Sequence, residues 1–232
     1  MNTPMYYVGG SKGGVGKSLF SFALVDYLLQ QERNVLLVDT DTDNPDVYKA
    51  HNSLELPNLI CLMNALDDAD GWAELLDTVQ NYPEHAVVIN AAARTKASTT
   101  SYGDIMQGAL QEMQRELMVF WIINRHRDSI ELLHSFQQAF PGVTVHVCRN
   151  MFFGEPQRFD LYNHSKAREA VEKAGRTLDF PAVASRVADW LYSKRMSIRA
   201  AHPEMPFGTR AELQRWRTRC AEMLTTVMGE PS

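Results

Sequence analysis

The sequence predicts an α/β fold, a mostly parallel, doubly wound sheet with helices on both faces. Three observations carry that expectation. Short apolar, β-branched runs recur without polar alternation, as in strands buried on both sides. Between them lie segments whose apolar residues repeat at helical spacing, and strand–helix alternation is the pattern of a parallel sheet covered on both faces. No repeat, low-complexity tract or linker interrupts the 232 residues, so a single domain spanning 1–232 is expected.

Residues 5–8, MYYV, read as the first strand and run into a glycine-rich stretch, GGSKGGVGKS, at 9–18. Leu19, Phe20, Phe22, Ala23, Leu24, Tyr27 and Leu28 then recur at helical spacing as far as Gln31. Residues 35–38, VLLV, form a second buried strand, followed by the acidic loop DTDTDNPD at 39–46. Residues 56–80 read as helix in two pieces. A third strand, AVVI at 86–89, leads into a polar loop holding Thr95, Ser98, Thr99, Thr100, Ser101 and Gly103. A helix at 104–116, a strand at 117–123 and a helix at 128–139 follow. Pro141 and Gly142 turn the chain into a strand at 143–147, and 164–175, 182–193 and 210–228 read as helices.

Hydrophobic residues at 45% and charged residues at 22% exclude global disorder. Cys61, Cys148 and Cys220 lie far apart with no CxxC, which argues against a disulfide scaffold or a cysteine-ligated cluster and fits a reducing cytosol. No apolar run approaches the roughly 18 residues of a bilayer span, and no signal-peptide layout opens the chain, so a cytoplasmic protein is expected. The histidines show no ligand spacing, so no metal beyond Mg²⁺ is expected. Charge is uneven: residues 1–150 hold 10 Lys and Arg against 18 Asp and Glu, whereas 151–232 hold 13 against 10. Between 194 and 219, Lys194, Arg195, Arg199, Arg210, Arg215, Arg217 and Arg219 face only Glu204 and Glu212. A surface this basic suits a polyanion; solvated helix faces are the other reading. The last helix places Leu213, Trp216, Cys220, Met223 and Val227 on one stripe, expected to pack on its own domain and not on a membrane. Met151, Phe152 and Phe153 are expected in the core.

The segment richest in chemistry is Lys12, Gly13, Gly14, Val15, Gly16, Lys17 and Ser18, set between a strand and a helix. Glycines let backbone N–H groups curl around phosphate oxygens, and the helix N-terminus adds its positive dipole end. Lys17 would reach the β and γ phosphates, and Ser18 would hold Mg²⁺. Ser11 stands where GxxxxGK[ST] has its first glycine, so the pattern here is the narrower KGGxGK[ST].

This loop resembles the deviant Walker A motif of the ParA/MinD ATPases, relatives of nitrogenase iron protein and signal-recognition GTPases. Residues 35–41 are similar to that family's second-strand motif ending in DxD, and weaker matches continue to about residue 200. The resemblance implies a P-loop NTPase fold that binds ATP and Mg²⁺. It makes Lys12 the signature lysine that reaches the partner's phosphates in an ATP-dependent homodimer. It makes Asp41 the residue that orients the attacking water and Asp39 a support for the metal. Asn150, after the strand at 143–147, matches a position that reads adenine; a turn-forming asparagine is the alternative. One departure stands out. The third strand ends in Asn90 where the family has the Walker B aspartate, which implies weaker hydrolysis than binding.

On this resemblance the protein is a ParA-like, slowly hydrolysing ATPase of plasmid or DNA partitioning, stability or conjugative transfer. Its expected partners are nonspecific DNA and an adaptor or centromere-binding protein encoded nearby, at the nucleoid. Two alternatives remain open at this point: a nucleotide-dependent binding module without turnover, and a MinD-like membrane-cycling ATPase.

Overall fold

Apolar runs become strands here because each finds cover on both of its faces. In the computed structural model, which describes residues 3–11, 13–93 and 96–229, the strands are β1 (Met5–Gly10), β2 (Val35–Asp39), β3 (Leu59–Met63), β4 (Ala86–Asn90), β5 (Leu117–Ile123), β6 (Thr144–Asn150) and β7 (Thr177–Phe180). They form one sheet in the order β3-β2-β4-β1-β5-β6-β7, and every pair in it is parallel. The helices are α1 (Lys17–Gln30), α2 (Asp46–His51), α3 (Ala69–Asn81), α4 (Lys96–Glu112), α5 (Arg127–Ala139), α6 (Asp160–Asn163), α7 (Lys166–Val171), α8 (Ser185–Ser193), α9 (Ile198–Glu204) and α10 (Phe207–Met228). The expected α/β sheet with helices around it is the observed fold.

Alternation along each strand divides the core. Tyr6, Val8, Val35, Leu37, Val88 and Phe120 feed one face, under α1, α8, α9 and α10. Met5, Tyr7, Leu36, Val38, Val87 and Trp121 feed the other, under α3, α4 and α5. Helix α1 is buried nearly all round, since the sheet covers one side and α2, α9 and α10 cover the rest. A helix so enclosed needs apolar residues on every side, which explains the run from Leu19 to Leu29. Its one buried carboxylate, Asp26, is met by Arg217 of α10 through two bonds of 2.8 and 2.9 Å.

Five segments differ from the sequence expectation. Residues 59–63 are a strand, not helix: LICLM pairs in register with β2 from Val35↔Leu59 to Asp39↔Met63. A five-residue apolar run has no period that separates helix from strand, and the open edge of β2 decides it. Ser98, Thr99, Thr100, Ser101 and Gly103, expected in a loop, fall in the first half of α4, and Thr95 lies outside the described residues. Strand β7 and helices α2 and α9 are four to seven residues long, too short for a periodic signal.

Candidate functional site

Parallel pairing carries the C-terminal ends of β1, β2 and β4 to one edge of the sheet. Asn90 lies level with Val8 on one side and Asp39 on the other. The glycine-rich loop after β1 and the acidic loop after β2 therefore open at the place where ligands bind in open α/β sheets.

The loop is shaped by glycine. Gly14 and Gly16 have φ of 80° and 105°, in the left-handed region. A Cβ on Gly16 would also collide with Asn150 Nδ2. Gly16 is the N-cap of α1, so the first-turn N–H groups and the dipole of that helix open on the loop. Asn150 holds the loop from behind: its amide donates to Val15 O at 2.8 Å, and its Oδ1 accepts Phe152 N–H at 3.0 Å. These two bonds use one of the two amide hydrogens and one of the two carbonyl lone pairs of Asn150. Ser11 is buried, with its Oγ 3.0 Å from Ser129 Oγ of α5, and Ser129 donates onward to Asn124 Oδ1 at 2.9 Å. The serine in place of the first glycine thus ties the loop to its neighbouring helix. Lys12 lies outside the described residues.

Lys17 is buried at the first position of α1. Burial pulls its ammonium pKa down, and the Asp41 carboxylate opposes that shift. Ser18, next to it, is half-buried. Asp41 accepts Asn44 N–H at 3.2 Å across the acidic loop.

Asp39 is fully buried and accepts four donors. Its Oδ2 takes the N–H groups of Val47 and Tyr48 at 3.1 and 3.0 Å, in the first turn of α2. Its Oδ1 takes Asp41 N–H at 3.3 Å and the Asn90 amide at 2.9 Å. Burial pushes the Asp39 carboxyl pKa up against these donors. All four lone-pair positions are in use, so in this arrangement Asp39 has none left to ligate a metal. Asn90 is buried as well, and its Oδ1 accepts the Ser21 hydroxyl of α1 at 3.0 Å.

The groups at this edge fit a magnesium–nucleotide: an N–H cradle at a helix N-terminus, a buried cation, a hydroxyl beside it and carboxylates opposite. Sequence reasoning missed Ser21, Ser129 and Asn124. Ser21 stands one turn beyond Lys17, a spacing that could have flagged it. The others are visible only once α5 is placed.

Elsewhere the surface refines two expectations. Phe152 is 71% exposed, stacked edge-on against Phe153, and does not enter the core. The stripe of α10 does pack on its own domain: Leu213, Trp216, Cys220 and Met223 are buried beneath it. Arg217, counted with the basic residues, is spent on Asp26. Lys194, Arg195, Arg199, Arg215 and Arg219 are exposed. Among the described residues no helix is long and apolar enough to cross a membrane.

Comparison with known proteins agrees with this geometry. The sequence model of the CobQ/CobB/MinD/ParA nucleotide binding domain matches residues 6–146. Protein MobD of Acidithiobacillus ferrooxidans is 48% identical over 231 residues, which cover 99% of this chain and 100% of that protein. The fold is similar to that of a putative plasmid partition protein of Borrelia burgdorferi B31 bound to AMPPNP, with a TM-score of 0.62 at 15% identity, covering 97% of this chain and 99% of that one. It is also similar to the septum site-determining protein MinD of Pyrococcus horikoshii OT3 complexed with Mg-ADP, with a TM-score of 0.58 at 14% identity and 99% of each chain covered.

Proposed function

The chain belongs to the CobQ/CobB/MinD/ParA nucleotide-binding family, and we propose that it is a slow, ATP-switched homodimer that partitions, stabilises or transfers plasmid DNA with a partner protein. The observation that supports this reading best is the glycine-shaped loop at 13–18, opening on α1 opposite Asp39 and Asp41. A putative partition protein among the similar folds points the same way.

In this reading the backbone of Gly13, Gly14, Val15 and Gly16 holds the phosphates, Lys17 neutralises the β and γ oxygens, and Ser18 holds Mg²⁺. The metal supplies charge neutralisation at the phosphoryl group when bound. Asp39 would act on the metal by its charge, held in place by Asn90, and Asp41 would orient the attacking water. Lys12 acts in trans, because a second cation beside Lys17 adds most when it neutralises the partner's nucleotide. Asn150 keeps Val15 and Gly16 in place and offers its remaining amide hydrogen to adenine. The second reading, a binding module without turnover, is favoured by one observation: both ends of the Asn90 amide are already engaged by the protein.

Molar mass measured by light scattering without nucleotide, with ADP and with ATP tests the switch, and phosphate release on the same samples separates the two readings. Wild type is expected to double in mass only with ATP, and Lys12→Ala to remain monomeric while still binding ATP. A Lys12→Ala protein that dimerises as well as wild type removes the trans role.

The exposed cations at Lys194, Arg195, Arg199, Arg215 and Arg219 form the proposed DNA surface, doubled by dimerisation. The opposing net charge of −5 requires the patch to act locally. Gel shifts on random duplex are expected to show ATP-strengthened binding whose log–log salt slope steepens by roughly 0.9 per phosphate neutralised. Reversing charge at Arg195 and Arg199 to Glu should weaken binding on the order of tenfold at low salt. Unchanged shifts would make the surface ordinary and the partner a protein.

A further inference from the structure

The chain of contacts through Asn90 joins elements that carry different parts of the site. Ser21 sits on α1, one turn beyond Lys17, and donates to Asn90 Oδ1 at 3.0 Å. The Asn90 amide donates to Asp39 Oδ1 at 2.9 Å. That carboxylate in turn holds the N–H groups of Val47 and Tyr48, which start α2, and of Asp41. Helix α2 has no side-chain cap of its own at Pro45, so Asp39 caps it from a distance. At its far end, Ala50 O accepts Ser197 N–H at 3.2 Å, and the Ser197 hydroxyl caps α9, which bears Arg199.

An amide suits position 90 because its two ends differ. Its oxygen meets a hydroxyl donor and its nitrogen meets a carboxylate. A second carboxylate there would face Asp39 at hydrogen-bond distance with no N–H between them, in a corner where Asp39 is fully buried and Asn90 is 3% exposed.

We propose that Asn90 is a positioning residue that locks the P-loop helix α1 to Asp39, and through it fixes Asp41 and the start of α2. The side chain at 90 is an amide because Asp39 already supplies the one negative charge this corner holds. The proposal rests on the nucleotide-site reading for what Asp41 and α1 do, but its contacts exist in the protein without nucleotide.

The test is amide hydrogen exchange at Val47 and Tyr48 in the nucleotide-free, full-length protein. Asn90→Asp is expected to speed exchange at both by about tenfold or more, the scale of losing a hydrogen bond to a charged group. The exchanged pair Asp39→Asn with Asn90→Asp puts an amide and a carboxylate back at the same contact and should restore most of the protection. Unchanged exchange in Asn90→Asp, or no rescue by the exchanged pair, overturns the proposal. Should Asn90→Asp fail to fold, Ser21→Ala removes the α1 anchor without a charge change. It is expected to speed the same two amides severalfold, and unaltered rates would count against the lock. Calorimetry with Mg·ATP on wild type runs beside these measurements. Absence of binding there would sink the nucleotide-site reading and leave the exchange results standing.

Discussion

Replacing Lys17 with alanine is expected to abolish Mg·ATP binding. Lys17 is the buried cation of the loop, and burial already lowers the pKa of its ammonium. A desolvated ammonium keeps its charge best beside an anion, so phosphate oxygens add to what Asp41 offsets of that cost in the free protein. Charge-assisted hydrogen bonds contribute roughly 1.5–3 kcal/mol each. Losing two of them lowers affinity by on the order of a hundredfold or more. Titration calorimetry reads this directly, with a melting curve to show that the variant folds. Unchanged affinity would remove the phosphate assignment from the loop altogether.

Arg217→Ala should cause the largest loss of stability among surface-adjacent changes. Side-chain exposure is 15% for Arg217 and 8% for Asp26, so the pair is largely out of water. Truncating the arginine leaves Asp26 buried with Gln30 at 2.7 Å and the more distant charge of Arg199 to support it. Breaking one partner of a buried pair costs about 3–5 kcal/mol, which lowers Tm by on the order of 10 °C in a domain of this size. The sign of the pH dependence follows from the carboxyl. Burial raises the Asp26 pKa, and Arg217 is the main opposing influence. Without the arginine the folded-state pKa rises further above its unfolded value. The variant's deficit is therefore full at neutral pH and shrinks as pH falls through the variant's raised pKa, where Asp26 takes up a proton. Its Asp26 part is gone below the wild-type folded-state pKa, itself above the ordinary carboxyl value. A deficit that stayed constant between neutral and acid conditions would show that Asp26 is not the strained group.

Strands with both faces buried were legible because continuous β-branched runs have one reading. The phosphate loop was legible because its glycines are demanded at fixed offsets by backbone conformation, as φ at Gly14 and Gly16 bears out. β3 was not, since LICLM carries one β-branched residue and its fate depends on β2. The partners of Asp39 were hidden for a different reason. Asn90 lies 51 residues away, and only strand register brings the two level. Arg217 looked like part of a basic face because its partner stands 191 residues earlier in the chain. The charge count along a sequence sees composition, whereas the charge available at a surface is what remains after such pairings.

The sheet order carries a consequence for how the chain is made. β1 is synthesised first, yet it lies between β4 and β5, so neither of its edges can pair until residues 86–90 and 117–123 have emerged from the ribosome. Helix α1 waits longer still: its outer side is closed by α10, which follows every strand of the sheet in the chain. Strand β1 and helix α1 are thus committed to a core that closes only with residues 207–228, and parallel pairings of this span close slowly. A nascent chain halted before residue 207 holds Phe20, Leu24 and Leu28 on a helix without its lid, apolar surface that favours aggregation until residues 207–228 have emerged.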